Sequence, residues 1–332
     1  MVHSAEKLLI VGSLNANHDD RSLSRAETKT VQALDDKGEI QPIIFFDNWG
    51  ELGVSSIVWD KNSPTIWYLT TGVDLFQIDI ATKQIEQIDI PKLRGVHEIS
   101  LIGGVLWISN TYFDEIISYD LQKKQVIQRL KLKISDHIPE HVSEENVDRD
   151  DTTRINKFHC NQLFETYDGD VFALVHHVTG EQLMKRVAQK LIKSQGNGGV
   201  LNIVTGENKR LKLKAPHSVR KVNDQYWIFD SGHAQLNIYD RSWKLIKEVK
   251  MAGWGRGGDY SALSEVYYAG VSAKRKRYLS KVDSDILNQN MLQAFNLHGE
   301  EVYKIPVPNI EQINNLYLIS NEVYQLLRAM DK

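Results

Sequence analysis

Three histidines in a chain of 332 residues stand at the front of short apolar runs: His97 in GVHEISL, His159 in KFHCNQL and His217 in PHSVRKV. An imidazole exchanges protons near neutral pH, donates or accepts a hydrogen bond at either nitrogen, and ligates zinc and transition metals. Three of them at one place would suit a divalent metal ion, zinc, iron or manganese, with a position left open for water or substrate. The same set could do acid–base work without a metal, or only brace neighbouring strands. Their separations match no compact ligand motif such as H-E-x-x-H. Whether they meet therefore depends on the elements that carry them.

Those elements repeat. Residues 97 to 130 hold four β-type runs, HEISLI, VLWISN, EIISYDL and KQVIQRL, with Gly103-Gly104 in the first turn. The order recurs at 217 to 250 as HSVRKV, QYWIFDS, QLNIYDR and WKLIKEVK, with Asn223-Asp224 in that turn, and again at 53 to 90. Trp67, Trp107 and Trp227 lie in the second runs, and Asp79, Asp120 and Asp240 close the third. A repeated four-stranded meander of roughly forty residues is the signature of propeller blades. Two further units start near 157 and 254, each with an interruption. The N-terminal runs KLLIVGSLN, KTVQALDD and EIQPIIFF lack a first strand, which IEQINNLYLIS can supply. Pairing the chain ends in one blade removes the open sheet edge. The expected fold is all-β: a single β-propeller domain over 1–332, with six four-stranded blades closed by the N- and C-terminal strands. Two packed β-sandwiches would not produce the repeated internal order.

The first strand of a blade lines the central channel, and the connection into it shares a face with the turn between strands two and three. His97, His159 and His217 thus start the inner strands of three consecutive blades, at one channel mouth. The ends of second strands add Asn110 with Thr111, His176 with His177, and Asp230 with Ser231 and His233; the sixth blade adds Arg256 in GWGRGGDY. The expected roles follow. His97, His159 and His217 are metal ligands, with Glu98 or Asp230 as an anionic fourth. His176, Asp230, Arg220 and Arg256 are catalytic, the arginines orienting an anionic or carbonyl oxygen. Asn110, Asn161 and Glu98 contact substrate. Strand alternation turns Cys160 away from His159 and Ser218 away from His217, which argues against a nucleophile in either pair. Insertions at 17–30, 134–156, 178–198 and 274–290 all fall on the histidine side. In one of them, Leu183, Val187 and Leu191, with Met184 and Ile192 beside them, predict a short amphipathic helix, either a lid or a rim element.

Other features are weaker. AKRKRYLSK at 273–281 is a basic run that suits a solvated loop or the attraction of an anion. ENVDRDD misses the EF-hand spacing, and GWGRGG neither follows P-loop spacing nor opens a helix. A formal charge of −3 argues against a general nucleic-acid partner. No apolar run approaches a membrane span, one cysteine makes no internal disulfide, and LLIVG is short for a secretory h-region. The expectation is a soluble cytoplasmic protein of open oligomeric state. It would be an enzyme working at the channel mouth on a small-molecule or glycan-like polar substrate. The competing expectation is a binding or scaffold module, which would show exposed aromatic residues on that face.

HEISLIGGVLWISNTYFDEIISYD, FHCNQLFETYDGDVFAL, PHSVRKVNDQYWIFDSGHAQLNIYD and GWGRGGDYSALSEVYYAGVSAKRKR resemble an uncharacterised bacterial β-propeller family of conserved hypothetical proteins. Some of its members are joined to, or encoded near, tetratricopeptide and sulfotransferase proteins. The matching positions are His97 and Glu98, Asn110 and Thr111, His159 and Asn161, then Pro216, His217, Ser218 and Arg220, and finally Asp230, Ser231, Gly232, Arg256, Gly257, Gly270 and Ser272. Residues 95 to 280 carry the similarity. It departs at Glu98, where the family pattern has aspartate, and at DTTRINKF, which replaces a shorter lead-in. The resemblance implies the fold and the ring of residues, and no reaction.

Overall fold

Turn chemistry explains the repeat. Gly103 and Gly104 have φ of 59° and 77°, and Asn223 and Asp224, at the same place two blades on, have 44° and 64°. A two-residue hairpin of type I′ needs positive φ at both central residues, which Gly, Asn and Asp accept most readily. At the other end of the repeat, Asp79, Asp120 and Asp240 accept backbone N–H bonds from Ala81, Gln122 and Ser242 at 2.9, 2.9 and 2.8 Å. Each carboxylate turns the chain back toward the outermost strand.

The protein is seen as a computed structural model that describes residues 2–133, 138–180, 196–273 and 289–331. Its strands form six antiparallel sheets, the blades of a six-bladed propeller. Blade one holds β1 (Glu6–Ser13), β2 (Val31–Leu34) and β3 (Ile40–Pro42), and blade two β4 (Ser56–Trp59), β5 (Ile66–Thr70), β6 (Leu75–Asp79) and β7 (Gln84–Ile88). Blade three runs β8 (Ile99–Ile102), β9 (Val105–Asn110), β10 (Glu115–Asp120) and β11 (Gln125–Lys131), with β12 (Glu140–Val142) added on its outer edge. Blade four is β13 (Cys160–Glu165), β14 (Val171–Val175), β15 (Gly198–Asn202) and β16 (Asn208–Leu213). Blade five is β17 (Pro216–Val222), β18 (Gln225–Asp230), β19 (Gln235–Tyr239) and β20 (Leu245–Lys250). Blade six is β21 (Trp254–Ser261), β22 (Val266–Ser272), β23 (Met291–Asn296) and β24 (Glu301–Pro306). The innermost strand of blade one is β25 (Gln312–Ser320), which pairs with β1 from Glu6↔Ser320 to Ser13↔Gln312 and closes the ring as expected.

Among the described residues the apolar core divides into six clusters, one at each seam between blades. The repeated tryptophans serve these seams. Trp67 packs with Leu9 and Val31 of blade one, Trp107 beside Leu163 of blade four, and Trp227 against Tyr267 of blade six. Truncating a buried one to alanine would cost about 3–5 kcal/mol. One element escaped the repeat: helix α1 (Asn321–Met330), capped by Ser320, whose Oγ accepts from Val323 N at 3.2 Å. Val323, Leu327 and Met330 pack into the seam between blades one and two. No helix among the described residues is long and apolar enough to cross a membrane. The segment expected to form the amphipathic helix, and all but residue 273 of the basic run, lie outside the described residues.

Candidate functional site at the channel mouth

The histidines converge. Ring centroids lie 5.1 Å apart for His97 and His159, 6.2 Å for His97 and His217, 4.1 Å for His159 and His176, and 5.5 Å for His176 and His217. The indole of Trp254, from the start of β21, stands 6.0 Å from His217.

Three of the rings, those of His159, His176 and His217, are held by hydrogen bonds to neighbouring residues. Asn110 ends β9 and leads into a short 3-10 turn, Thr111–Phe113, that finishes at Asp114 in the left-handed region. The Asp114 carboxylate is buried and accepts the consecutive N–H groups of Lys157, Phe158 and His159, the last two at 3.1 Å. Thr111 Oγ1 donates to Cys160 O. His159 itself has φ 53°, and the Asn156 amide holds its Nδ1 at 2.9 Å. With the Asn156 oxygen turned to the Arg154 guanidinium and its nitrogen to Nδ1, both ends of that amide are satisfied.

Blade five repeats the plan. Its 3-10 turn is Ser231–His233, and Ser231 Oγ donates to Gly255 O of the next blade, as Thr111 does to Cys160 O. His217 Nδ1 lies 3.0 Å from Ala215 O and 2.9 Å from Ser231 Oγ. A carbonyl only accepts, so Nδ1 carries the proton and Nε2 the lone pair. Asn161 Nδ2 bonds Pro216 O at 2.6 Å and His176 Nε2 at 2.8 Å, so His176 has the same tautomer.

Electrostatics keeps these rings neutral. Burial, then Arg154 and Arg256, lowers the His159 pKa to about 3. Burial, then Arg256 and the other histidines, holds His217 well below its ordinary value, and burial with the neighbouring imidazoles does the same for His176. Arg256 Nη1 donates to Asn314 Oδ1 at 2.8 Å, and Asn314 Nδ2 in turn bonds Ser13 Oγ and Val54 O at 3.0 and 2.9 Å. The glycine after Arg256 is forced by close approach: a Cβ on Gly257 would meet Asn315 Cα at 2.3 Å. Beside the loop leading into His159 lies a cavity of about 550 Å³, lined by four cations, Lys131, Lys133, Arg154 and Lys157, and one carboxylate, Asp114. Its field favours anions.

Four expected site residues take scaffold roles instead. Glu98 is buried one layer further down the channel, where it pairs with Arg220 Nη2 at 2.9 Å and accepts from Gln162 Nε2 and Ser218 Oγ at 3.0 and 2.8 Å. Arg220 gives three further donors to Gly258 O, Val219 O and Asn315 Oδ1 at 2.7, 3.0 and 2.7 Å. Asn110 accepts from Arg94 N at 2.8 Å and donates to Lys92 O and Glu115 Oε2, both at 2.9 Å. Asp230, at the equivalent place in blade five, accepts from Lys214 N at 2.8 Å and meets His233 Nδ1 at 2.7 Å. Polar atoms so engaged fasten entry loops and blade seams. The metal expectation also meets a mismatch: among the described residues, no group of three or more His, Cys, Asp or Glu side chains is arranged to hold a metal ion.

Cys160 is buried among Phe158, Ile116 and Leu163, its thiol pushed up by burial, and so does not act with His159. Ser218 Oγ points to Glu98 rather than His217. Sequence reasoning missed Asp114, Gln162 and Trp254. Bulges at Cys160/Gln162, His217/Val219 and Gly255/Gly258 interrupt the alternation of three inner strands, so Asn161 and Gln162 both reach across blade seams. The aspartate at 114, where blade five has Ala234, was the visible signal for the first.

The fold recurs among solved structures. A protein of unknown function from Bacteroides caccae matches with a TM-score of 0.57 and 12% identity, over 95% of this chain and 99% of that one. A chain of a nidogen–laminin complex matches with a TM-score of 0.56 and 9% identity, over 94% and 98%. No family model and no curated protein matches the chain. Likenesses at such identities are of fold alone, and fold does not determine chemistry.

Proposed function

We propose that the chamber of His97, His159, His176 and His217 is an acid–base active site for a small organic anion. Arg256 anchors the anion, and His217 accepts a proton at Nε2. One observation carries this reading: imidazoles held in neutral form, in a mouth where the charged groups acting on His159 and His217 include Arg256 and, for His159, also Arg154. A neutral imidazole is the proton-accepting form. Burial first, and then the Arg256 guanidinium, holds the basicity of His217 down. An anion at Arg256 offsets that charge and raises the imidazole pKa toward the working range, so substrate switches on its own base. The chemistry that fits is proton abstraction leading to elimination, or general-base hydrolysis.

The test is a screen of small organic anions against wild type, His217→Gln and Arg256→Gln. Turnover by wild type with a loss of roughly 10²–10⁴-fold in His217→Gln is expected. Calorimetry in two buffers of different ionisation enthalpy should show proton uptake on anion binding near neutral pH. Undiminished binding and turnover in Arg256→Gln contradicts the reading. Stoichiometric zinc, iron or manganese in the purified protein, with activity lost on chelation, would replace it with the metal-assisted version. Trp254 at the chamber wall favours one alternative, a non-catalytic ligand-binding module, which would show saturable binding without turnover.

A further inference from the structure

Asn161 holds a buried acceptor that the protein itself does not use. The residue is 2% exposed, and its Nδ2 is committed to Pro216 O and His176 Nε2. Because Pro216 O can only accept, the amide cannot reverse. The other arm of the amide, Oδ1, is buried and has no hydrogen-bond partner among the described residues. Leaving such an atom unpaired costs about 1–3 kcal/mol, and more than about 90% of buried polar groups in folded proteins find a partner. This one belongs to a side chain hydrogen-bonded to a ring of the histidine chamber.

We propose that the ligand of the chamber is a hydroxylated organic anion, a hydroxy acid or sugar acid, and that Asn161 is the residue that reads the hydroxyl group. The inference rests on the anion reading above and sharpens it. Oδ1 needs a donor. An ammonium would add a cation to a mouth already under the field of Arg154 and Arg256, so a neutral hydroxyl is the donor that fits. Asn161 reaches Pro216, next to His217, and Arg256 acts on His217. One small molecule can therefore place its anionic group near Arg256, its hydroxyl on Asn161 and its reacting atom at His217 Nε2. A site built to bond a hydroxyl rejects the analogue that lacks it, because the buried partner is then left unpaired.

Matched pairs test this by calorimetry: lactate with propionate, malate with succinate, gluconate with hexanoate, and sorbitol as the uncharged polyol. In wild type at least one hydroxylated anion should bind on the order of 100-fold tighter than its deoxy partner, with no binding of sorbitol. Asn161→Leu should bring that ratio below about fivefold. The side-chain amide resonance of Asn161 in wild type is the second readout, independent of whether the variant folds. It should shift with the hydroxylated anion and not with its partner. Equal binding of both members of every pair, lost in Arg256→Gln, overturns the hydroxyl assignment and keeps the anion site. Binding indifferent to Arg256→Gln overturns the anion site, and the hydroxyl assignment with it.

Discussion

Two layers of the same channel differ in how far their polar groups are satisfied. In the lower layer Glu98, Arg220, Gln162 and Ser218 engage one another, and Arg220 adds two backbone carbonyls and Asn315. In the upper layer four imidazoles crowd together without a carboxylate among the groups that shift His159, His176 and His217, and the Asn161 oxygen is unpaired. A saturated network fixes the relation between blades and has nothing left to offer a ligand. An unsaturated one stays less stable than it need be unless something binds there. The contrast separates residues that build the channel from residues that use it, although both sets lie within a few positions of one another on the same inner strands.

Breaking the lower layer should do most damage. Glu98→Leu leaves Arg220 charged and buried without its partner, and should lose about 3–5 kcal/mol in urea unfolding. Glu98→Leu with Arg220→Met should recover much of it. Asp114→Ala comes next: it orphans the N–H groups of residues 157 to 159, each worth about 1–3 kcal/mol if buried and unpaired. Anion binding should fall with it, because His159 loses its anchor. Acidification probes the upper layer. Histidines with lowered folded pKa bind protons more readily unfolded, so their stability contribution is full above the ordinary pKa of about 6.5. It is lost as pH falls below that, at up to about 1.4 kcal/mol per pH unit for each ring. A stability profile flat from pH 7 to 5 would contradict the neutral cluster. Smallest should be His217→Gln, within about 1 kcal/mol of wild type by thermal melting.

Much of this was legible in sequence because the repeat supplied the geometry. Tryptophans in second strands, aspartates closing third strands and a histidine at the start of three consecutive inner strands made blade order, register and the meeting of His97, His159 and His217 readable. Roles read from residue type were harder. Arg220 and Asp230 look catalytic until their partners are known, since an arginine or aspartate serves a seam as readily as a substrate. The bulges defeated simple alternation, which hid Gln162. Asp114 acts through backbone N–H groups 43 to 45 positions away in sequence, a relation no local pattern displays. Helix α1 lies outside the repeat, where a template of blades has no place for it.

Ring-nitrogen chemical shifts of His159, His176 and His217, followed from pH 8 to 4.5, test the central claim most directly. All three should stay neutral throughout, with His176 and His217 protonated on Nδ1, and a bound organic anion should raise their midpoints. Ordinary titration near pH 6.5, unmoved by any anion, would contradict it.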